Sequence, residues 1–480
     1  MKNNKMKNNK EAKIDTSRRK FIKGVGLSSA GLIVLPRCVL GGKDYIAPSD
    51  KVNIGIVGAG GQSMYSIKEL LKLDDVQLVT IADPSEHWKN DILYKEDSGR
   101  GPVKKFIEGH YAQKNSNHKI TEYEDFRVML EKEKALDAIV CATPDNTHAY
   151  VSIHAMRAGK HVYCEKPLAH NIWQARKLRD VAKETGMATQ MGNQGHSRNE
   201  IRQTIEYLRS GAIGTVREAY SWVPATRWLP GFSGYPKKST SIPRRFNWDL
   251  WLGPTAWHPY NKLYTPVKWR DFWSFGCGAL GDFGCHDMDA ATWAFNLRSP
   301  ESIEVIPAGN NGSAIIAPYG EIGYYQFAAK GDQPSFKLTW YSGGLRPVRP
   351  ELLPRDVKLA NRGAIFIGDK GIILNNGGTS GAPLIFPETL RNLFTPPEKF
   401  IPRSQGHHRE WIDAIKGGPA ALSNFEYGSR LTEITLLGVL SLRLGGKKIF
   451  WNDENMKVID MPEAEEIIRE PVRKGWEIDG

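Results

Sequence analysis

Two short stretches of this chain place together side chains suited to moving a proton on and off an oxygen. In the first, Glu165-Lys166-Pro167 closes the apolar run 161–164, which reads as a buried strand. A lysine fixed at a strand end supplies a cation that can hydrogen-bond a reacting oxygen and stabilise alkoxide character. In the second, Gly281-Asp282-Phe283-Gly284-Cys285-His286 spaces a carboxylate and an imidazole four residues apart. Both then share one face if 281–290 is helical. His286 is suited to take a hydroxyl proton as general base, and Asp282 to orient the imidazole or hold a substrate hydroxyl. A base and a cation are what the oxidation of a secondary alcohol needs, provided that a hydride acceptor lies beside them.

The acceptor's place is read at 51–63, KVNIGIVGAGGQS. Val52, Ile54, Ile56 and Val57 make a buried parallel strand. Gly58, Ala59, Gly60 and Gly61 then turn the backbone tightly enough to approach a pyrophosphate, and Gln62 opens a helix whose N–H groups face that anion. Ser63 stands where the GxGxxG pattern has its third glycine. The next strand, 76–82, ends in Asp83, roughly twenty residues past the turn, where a carboxylate holds a ribose 2′-hydroxyl. The same carboxylate repels a 2′-phosphate, so the expected cofactor is NAD rather than NADP.

The chain's 480 residues, 40% hydrophobic with 14 Trp, can bury a large core, and two domains are expected. Strands alternate with helical segments to about residue 190, the pattern of a parallel α/β sheet. Within it, 136–143 is a buried strand running into Pro144-Asp145-Asn146-Thr147-His148 at a helix start. The helix 171–185 leads to a strand at 187–190 and then to Met191-Gly192-Asn193-Gln194-Gly195-His196-Ser197. Asn193, Gln194 and His196 lie at that strand end, placed to touch nicotinamide or sugar. After Gly211-Ala212-Ile213-Gly214 the texture changes to strands at 216–223, 302–307, 323–329, 336–341 and 364–367, a mostly antiparallel sheet. Between them lies a Trp/Pro/Gly-rich loop at 224–285, and helices follow at 406–416 and 427–444. Five cysteines write no disulfide framework. Cys141 and Cys164 read as core thiols, and Cys277 and Cys285 are within reach of a pairing. No metal is expected. The adjacent His407 and His408 face different sides of a helix, and Asp287 and Asp289 beside His286 make no ligand set.

The glycine turn, Asp83, Ala142-Thr143-Pro144 with His148, Glu165-Lys166-Pro167 and 281–286 occur in the order seen in the Gfo/Idh/MocA oxidoreductases, and the chain resembles that family from about residue 50 onward. The resemblance implies an N-terminal Rossmann NAD-binding domain, 51–190, and a C-terminal α/β domain with a large open sheet and terminal helices, 191–480. It implies action on sugars, polyols and their derivatives. It assigns Lys166, Asp282 and His286 as the catalytic set, and Thr143, Pro144, Asn146, His148 and Glu165 as walls of the adenosine–nicotinamide cleft. Trp269-Arg270 resembles a loop that covers the cofactor in relatives, and a homo-oligomer through the C-terminal sheet is expected. The stretch 191–197 resembles a branch of exported bacterial members. Trp222, Trp228, Trp257 and Tyr264 are candidates for stacking on sugar faces.

Residues 1–37 read as a twin-arginine export signal. Ser17-Arg18-Arg19-Lys20-Phe21 precedes an apolar run, 25–35, too short to span a membrane. Residues 38–50 follow as a linker, and Arg37 before Cys38 argues against a lipoprotein site. The leader holds ten Lys or Arg against Glu11 and Asp15, which is +8 of the formal +12. The remainder carries only +4, with no basic cluster suited to nucleic acid. An NAD site on an exported, periplasmic chain implies a cofactor that stays bound and is recycled. Two chemistries close such a cycle: oxidation of one sugar with reduction of another, or a redox-neutral glycosidase passing through oxidation, elimination, hydration and reduction. A sugar-binding protein without catalysis is the third reading, against which the intact Lys166, Asp282 and His286 stand.

Overall fold

The alternation of apolar strands and helices in the first part of the chain produces a parallel sheet. In the computed structural model, which describes residues 47–114, 116–309 and 313–478, its strands are drawn from β1 (Val52–Val57), β2 (Val76–Ala82), β3 (Trp88–Asn90), β4 (Glu96–Ser98), β5 (Thr121–Tyr123), β6 (Ala138–Cys141), β7 (His161–Cys164) and β8 (Thr189–Met191). The six-stranded order is β5-β2-β1-β6-β7-β8, with every pairing parallel, while β3 and β4 pair separately as an antiparallel hairpin. Strand order reverses on either side of β1 and β6, so the crevice beyond their C-terminal ends is the switch point at which such sheets bind ligands. The turn after β1 and the segment Ala142-Thr143-Pro144 after β6 both lie there.

The second part forms a nine-stranded sheet from β9 (Val216–Trp222), β10 (Ser302–Ala308), β11 (Gly320–Phe327), β12 (Phe336–Tyr341), β13 (Gly363–Gly368), β14 (Ile372–Asn376), β15 (Pro383–Phe386), β16 (Ile449–Asn452) and β17 (Lys457–Val458). Its order is β15-β14-β13-β9-β12-β11-β10-β16-β17, antiparallel except where β9 meets β12. The five strands expected there are present, and β14 to β17 join them. Those four are short, and hairpin pairing rather than a clear periodicity makes them strands.

The helix Gly278–Asp287 carries both Asp282 and His286. It ends three residues earlier than the expected 281–290, and Asp289–Ala294 restarts as a separate helix. It lies close against the helix Phe425–Arg443. A Cβ at Gly284 would come 2.7 Å from Thr435, and one at Gly438 would come 2.7 Å from Leu280. Cys285 is thereby buried beside Thr432 and Thr435, while Cys277 lies near the His170 carbonyl. Both thiols are free, which corrects the pairing entertained from sequence.

The loop 224–285 is not structureless. It holds the helix Trp248–Leu252, the 3-10 turn Lys268–Asp271 and an aromatic core of Trp248, Trp251, Tyr260, Tyr264, Phe272 and Phe275. The division expected at residue 190 cuts β8, which runs to Met191, and it does not divide the packing. Trp411 and Ile412, on the helix His407–Ile415, belong to the core of the parallel sheet, and Trp476 packs edge-on to Tyr150. Lys51–Gly480 is accordingly one compact unit. Of the residues before it, the 3-10 turn Pro48–Asp50 is described. The expected export signal and Cys38 lie outside the described residues. Among the described residues no helix is long and apolar enough to cross a membrane.

Candidate active site

A cavity of about 530 Å³ runs from the turn after β1 to Lys166, Asp282 and His286. At its first end the backbone does the positioning. Gly58 sits at φ 89°, and a Cβ there would stand 2.6 Å from the Ala142 carbonyl oxygen, so only glycine lets β1 and β6 come this close. The Ala59 N–H donates to Asp83 Oδ2 at 2.7 Å, and the Ser85 N–H donates to Oδ1 at 2.7 Å. Burial pushes the Asp83 carboxyl up to about 6, against those two donors and Arg100. Asp83 thus holds the turn as well as facing the cavity. The helix Gln62–Leu70 follows with no side-chain cap; its Ser63 and Met64 N–H groups donate to the Gly60 and Gly61 carbonyls, and the positive end of the helix dipole is what it offers an anion. Ser63 does not line the cavity. Its hydroxyl accepts from the Gly60 N–H at 2.8 Å and donates to the Gly60 carbonyl at 3.0 Å, closing the turn where a third glycine was sought.

At the other end charge does the positioning. Lys166 Nζ donates to Asp282 Oδ1 at 2.5 Å and to the Asp282 carbonyl oxygen at 2.7 Å. Arg270 Nε stands 3.6 Å from Asp282 Oδ2. Burial alone would raise the Asp282 carboxyl, but Lys166 and Arg270 more than offset it and hold it well below the usual carboxylate range. Burial presses Lys166 down, and Asp282 outweighs that, leaving the ammonium firmly protonated. His286 is driven well below its usual value by burial and by the positive charges of Lys166 and Arg362, so it is neutral at neutral pH. A protonated lysine beside an unprotonated imidazole is the division of labour that removal of a hydroxyl proton requires.

Of the residues expected to wall the cleft, Thr143, Pro144, His148, Glu165, Gln194, Trp269 and Arg270 line the cavity with Gln62 and the glycine turn. Glu165 accepts from Gln194 Nε2 at 3.0 Å, and burial raises its carboxyl to about 8. His148 sits between the Pro167 and Thr143 carbonyl oxygens at 2.7 and 2.8 Å, locking the Glu165-Lys166-Pro167 segment to the β6 side. Its ring atoms lie within 4.8 Å of the Cys141 and Cys164 sulfurs, but both nitrogens are taken by those carbonyls.

Three expected residues are elsewhere. Asn146 donates to the Leu252 carbonyl and to Thr255 Oγ1, tying the aromatic insertion to the parallel sheet. Asn193 and His196 are buried with Asp289, and His196 stacks on Trp293 at 3.9 Å. The 3-10 turn Gln194–Ser197 rotates successive side chains to opposite sides, which brings Gln194 into the cavity and sends its neighbours into the core. Trp222 and Tyr264 are core residues, and Trp257 is exposed rather than facing the cavity.

Residues that sequence reasoning missed also line the cavity. Tyr94 and Trp88 come from the β3–β4 hairpin, Arg198 follows the Gln194–Ser197 turn, Arg362 immediately precedes β13, and Thr379 and Ser380 lie on the 3-10 turn between β14 and β15. Arg362 is held bidentately by Asp287 at 2.7 and 2.8 Å and lies over the Phe283 ring. An apolar triplet, Ile92-Leu93-Tyr94, inside an otherwise charged loop was the one signal of the hairpin. Nothing local announces Arg362, whose placement depends on β13 pairing with β9.

The residues at the first end fit a dinucleotide: an uncapped helix N-terminus, a turn that excludes side chains and a carboxylate at the end of β2. Comparison with known proteins agrees. Residues 52–193 match the family model described as "Oxidoreductase family, NAD-binding Rossmann fold", and 210–328 match "Oxidoreductase family, C-terminal alpha/beta domain". A glycosyl hydrolase family 109 protein of Shewanella pealeana is 23% identical over 228 residues, 44% of this chain and 47% of that protein. An alpha-N-acetylgalactosaminidase of Shewanella oneidensis is 23% identical over 230 residues, with the same coverage. The chain thus spans about half the length of the curated relatives it matches. Among solved structures, the WlbA dehydrogenase of Bordetella pertussis, in complex with NADH and UDP-GlcNAcA, superposes with a TM-score of 0.56 at 17% identity, over 84% of this chain and 99% of that one. The aldose-aldose oxidoreductase of Caulobacter crescentus gives 0.53 at 15% identity, over 83% and 99%. These likenesses are likenesses of fold.

Proposed function

The chain belongs to the Gfo/Idh/MocA oxidoreductase family, and on that premise we propose that it oxidises or reduces a secondary hydroxyl or ketone of a sugar or glycoside with NAD(H), retaining the cofactor between turnovers. The observation that carries this reading is the pair formed by Lys166 Nζ and Asp282 Oδ1 at 2.5 Å, one helical turn from a neutral His286. NAD, when bound, supplies the ring that accepts or returns the hydride. Lys166 has three N–H donors and spends two on Asp282, so one remains for the reacting oxygen. Asp282 holds that donor in place. His286 takes the hydroxyl proton as the carbon–hydrogen bond is lost, and returns it in the reverse direction.

A second reading has its own support. The matched relatives include a family 109 glycosyl hydrolase and an alpha-N-acetylgalactosaminidase. The same hydride step, followed by loss of the aglycone, addition of water and return of the hydride, gives a redox-neutral glycosidase. The discriminating experiment incubates protein as purified with glycosides and free sugars, an alpha-N-acetylgalactosaminide among them, without added NAD. Loss of two mass units from an intact sugar, with the bound cofactor reduced, supports the oxidoreductase. Aglycone release without lasting reduction supports the glycosidase. Many turnovers strictly dependent on added NAD would overturn cofactor retention in either case.

The reading extends to location and assembly. The twin-arginine pattern at 17–23 supports export of the folded holoenzyme to the periplasm, which cell fractionation tests directly. The exposed Ile306 and Phe450, on the neighbouring strands β10 and β16 of the nine-stranded sheet, support a homo-oligomer through that sheet. Light scattering on the purified protein gives the mass.

A further inference from the structure

The hairpin β3–β4 lies in the chain between the end of β2 and the helix Arg100–Gln113, and it packs on the glycine turn. A Cβ built on Gly60 would come 2.5 Å from the Ser98 side chain, and one on Gly61 would come 2.9 Å from the Tyr94 ring. The turn therefore needs glycine on its hairpin side as well as where Gly58 meets the end of β6. The Gly99 N–H donates to the Ala59 carbonyl at 2.5 Å, so the hairpin's end and the turn are joined through the main chain. Trp88, Asn90, Leu93, Tyr94 and Ser98 all line the cavity.

The hairpin is pinned on two sides. Towards the parallel sheet, Glu96 pairs with Lys68 of the helix Gln62–Leu70 at 2.6 Å. Towards the second part of the chain, the Trp88 ring meets Phe246 edge-on at 4.8 Å, the Glu86 N–H donates to the Arg245 carbonyl, and the Asn247 N–H donates to the Pro84 carbonyl. At its tip Lys95 takes a left-handed φ of 53°, which reverses the chain directly after Tyr94. Burial raises the Tyr94 phenol, and the charges of Arg270, Asp282, Lys166 and Glu165, the groups of the reactive end, act on it. The Tyr94 ring thus stands against the glycine turn and lines the same cavity as the catalytic charges.

We propose that the β3–β4 hairpin is a strap over the dinucleotide site, and that Tyr94 is the positioning residue that prevents the cofactor from leaving. This rests on the retained-cofactor reading and gives it a structural cause. A dinucleotide seated at the turn leaves only when the strap lifts, so the dissociation rate is set by contacts of the strap and not by those of the cofactor alone. Removing the Tyr94 ring uncovers Gly61 while leaving the two pins intact.

The test follows exchange of bound NAD rather than turnover. Purified holoenzyme is mixed with excess deuterated NAD, desalted at intervals, and the bound fraction is weighed by mass spectrometry. Tyr94→Ala is expected to exchange at least about tenfold faster than the parent, and Tyr94→Phe within about threefold of it, because the ring is kept. Lys68→Ala, which releases one pin, is expected in between. The Michaelis constant for the sugar stays the same in Lys68→Ala, whose side chain does not line the cavity. Tyr94→Ala recovered empty but able to rebind NAD with fast exchange supports the strap equally. Exchange in Tyr94→Ala at the parental rate overturns the strap while leaving the sugar oxidoreductase standing. A parent protein that neither carries nor takes up NAD overturns the cofactor reading itself, and the strap with it.

Discussion

The two ends of the cavity are held by different forces. At the glycine end the ligand-facing atoms are main-chain atoms, fixed by strand pairing and by the Ala59 and Ser85 N–H groups that Asp83 accepts. At the reactive end they are side-chain charges brought together across 116 residues of chain, with Lys166 and Arg270 converging on Asp282. A backbone-built end tolerates exchange of most side chains and fails only where a Cβ cannot fit. A charge-built end keeps its shape when one group is removed and loses its chemistry.

The largest effects should fall on the charge-built end and leave the other untouched. Lys166→Ala and His286→Ala are each expected to cut turnover on a verified sugar by about 10²–10⁴. NAD content, measured by mass spectrometry on the same preparations, is expected to stay at the parental level. Loss of NAD together with activity would show that the two ends are one unit and break the comparison.

Gly58→Ala probes the opposite end with the opposite signature. A Cβ at φ 89°, 2.6 Å from the Ala142 carbonyl, must push β1 and β6 apart or strain the turn. The expected cost is about 2–5 kcal/mol of stability by denaturant unfolding, with NAD lost from the purified protein. Correct folding with bound NAD would mean that the turn is softer than strand pairing implies.

This contrast also explains what was legible in the sequence. The glycine end is written locally, in a strand, a turn and an acid at the end of the next strand, so its residues and the parallel character of the sheet could be read directly. The helix bearing Asp282 and His286 was legible by its four-residue spacing. Its partner Lys166 followed from a strand-end position, and their direct ion pair did not. Asn146, Asn193 and His196 were misplaced because distant residues, Leu252 and Asp289, decided where those side chains went, and Ser63 because its hydroxyl turns back on Gly60 three residues away. Tyr94 and Arg362 enter the cavity through a hairpin and a strand pairing that no local periodicity encodes.

A smaller effect is expected at Asp83, where backbone and side chain meet. Asp83→Ala removes an acceptor of the Ala59 N–H and the group facing the ribose. Loss of one such charge-assisted bond is worth about 1.5–3 kcal/mol, which should appear as weaker NAD binding and a relaxed preference over NADP. Titration calorimetry with both dinucleotides measures it. Unchanged selectivity would confine Asp83 to bracing the turn.

The smallest effect sharpens the boundary between the two ends, at Glu165, which joins Lys166 in the chain and accepts from Gln194. Burial raises its carboxyl to about 8, with Lys166 opposing, so it carries a proton at neutral pH in the folded protein. The unfolded chain ionises it near 4.3. Between these values the native state binds more protons than the unfolded one, so this group makes stability fall as pH rises from about 4.3 towards 8. Each unit of upward displacement corresponds to roughly 1.4 kcal/mol at most, and neighbouring titrations offset part of it. Glu165→Gln keeps the shape and removes the proton, so its unfolding free energy should lose that downward slope while turnover near pH 7 changes by only about two- to threefold. Above pH 8 the parent gains a negative charge beside Lys166, and its activity should diverge there from the variant's. Superimposable stability and activity profiles across this range would show that Glu165 is ionised throughout, and that the charge-built end extends one residue further than drawn here.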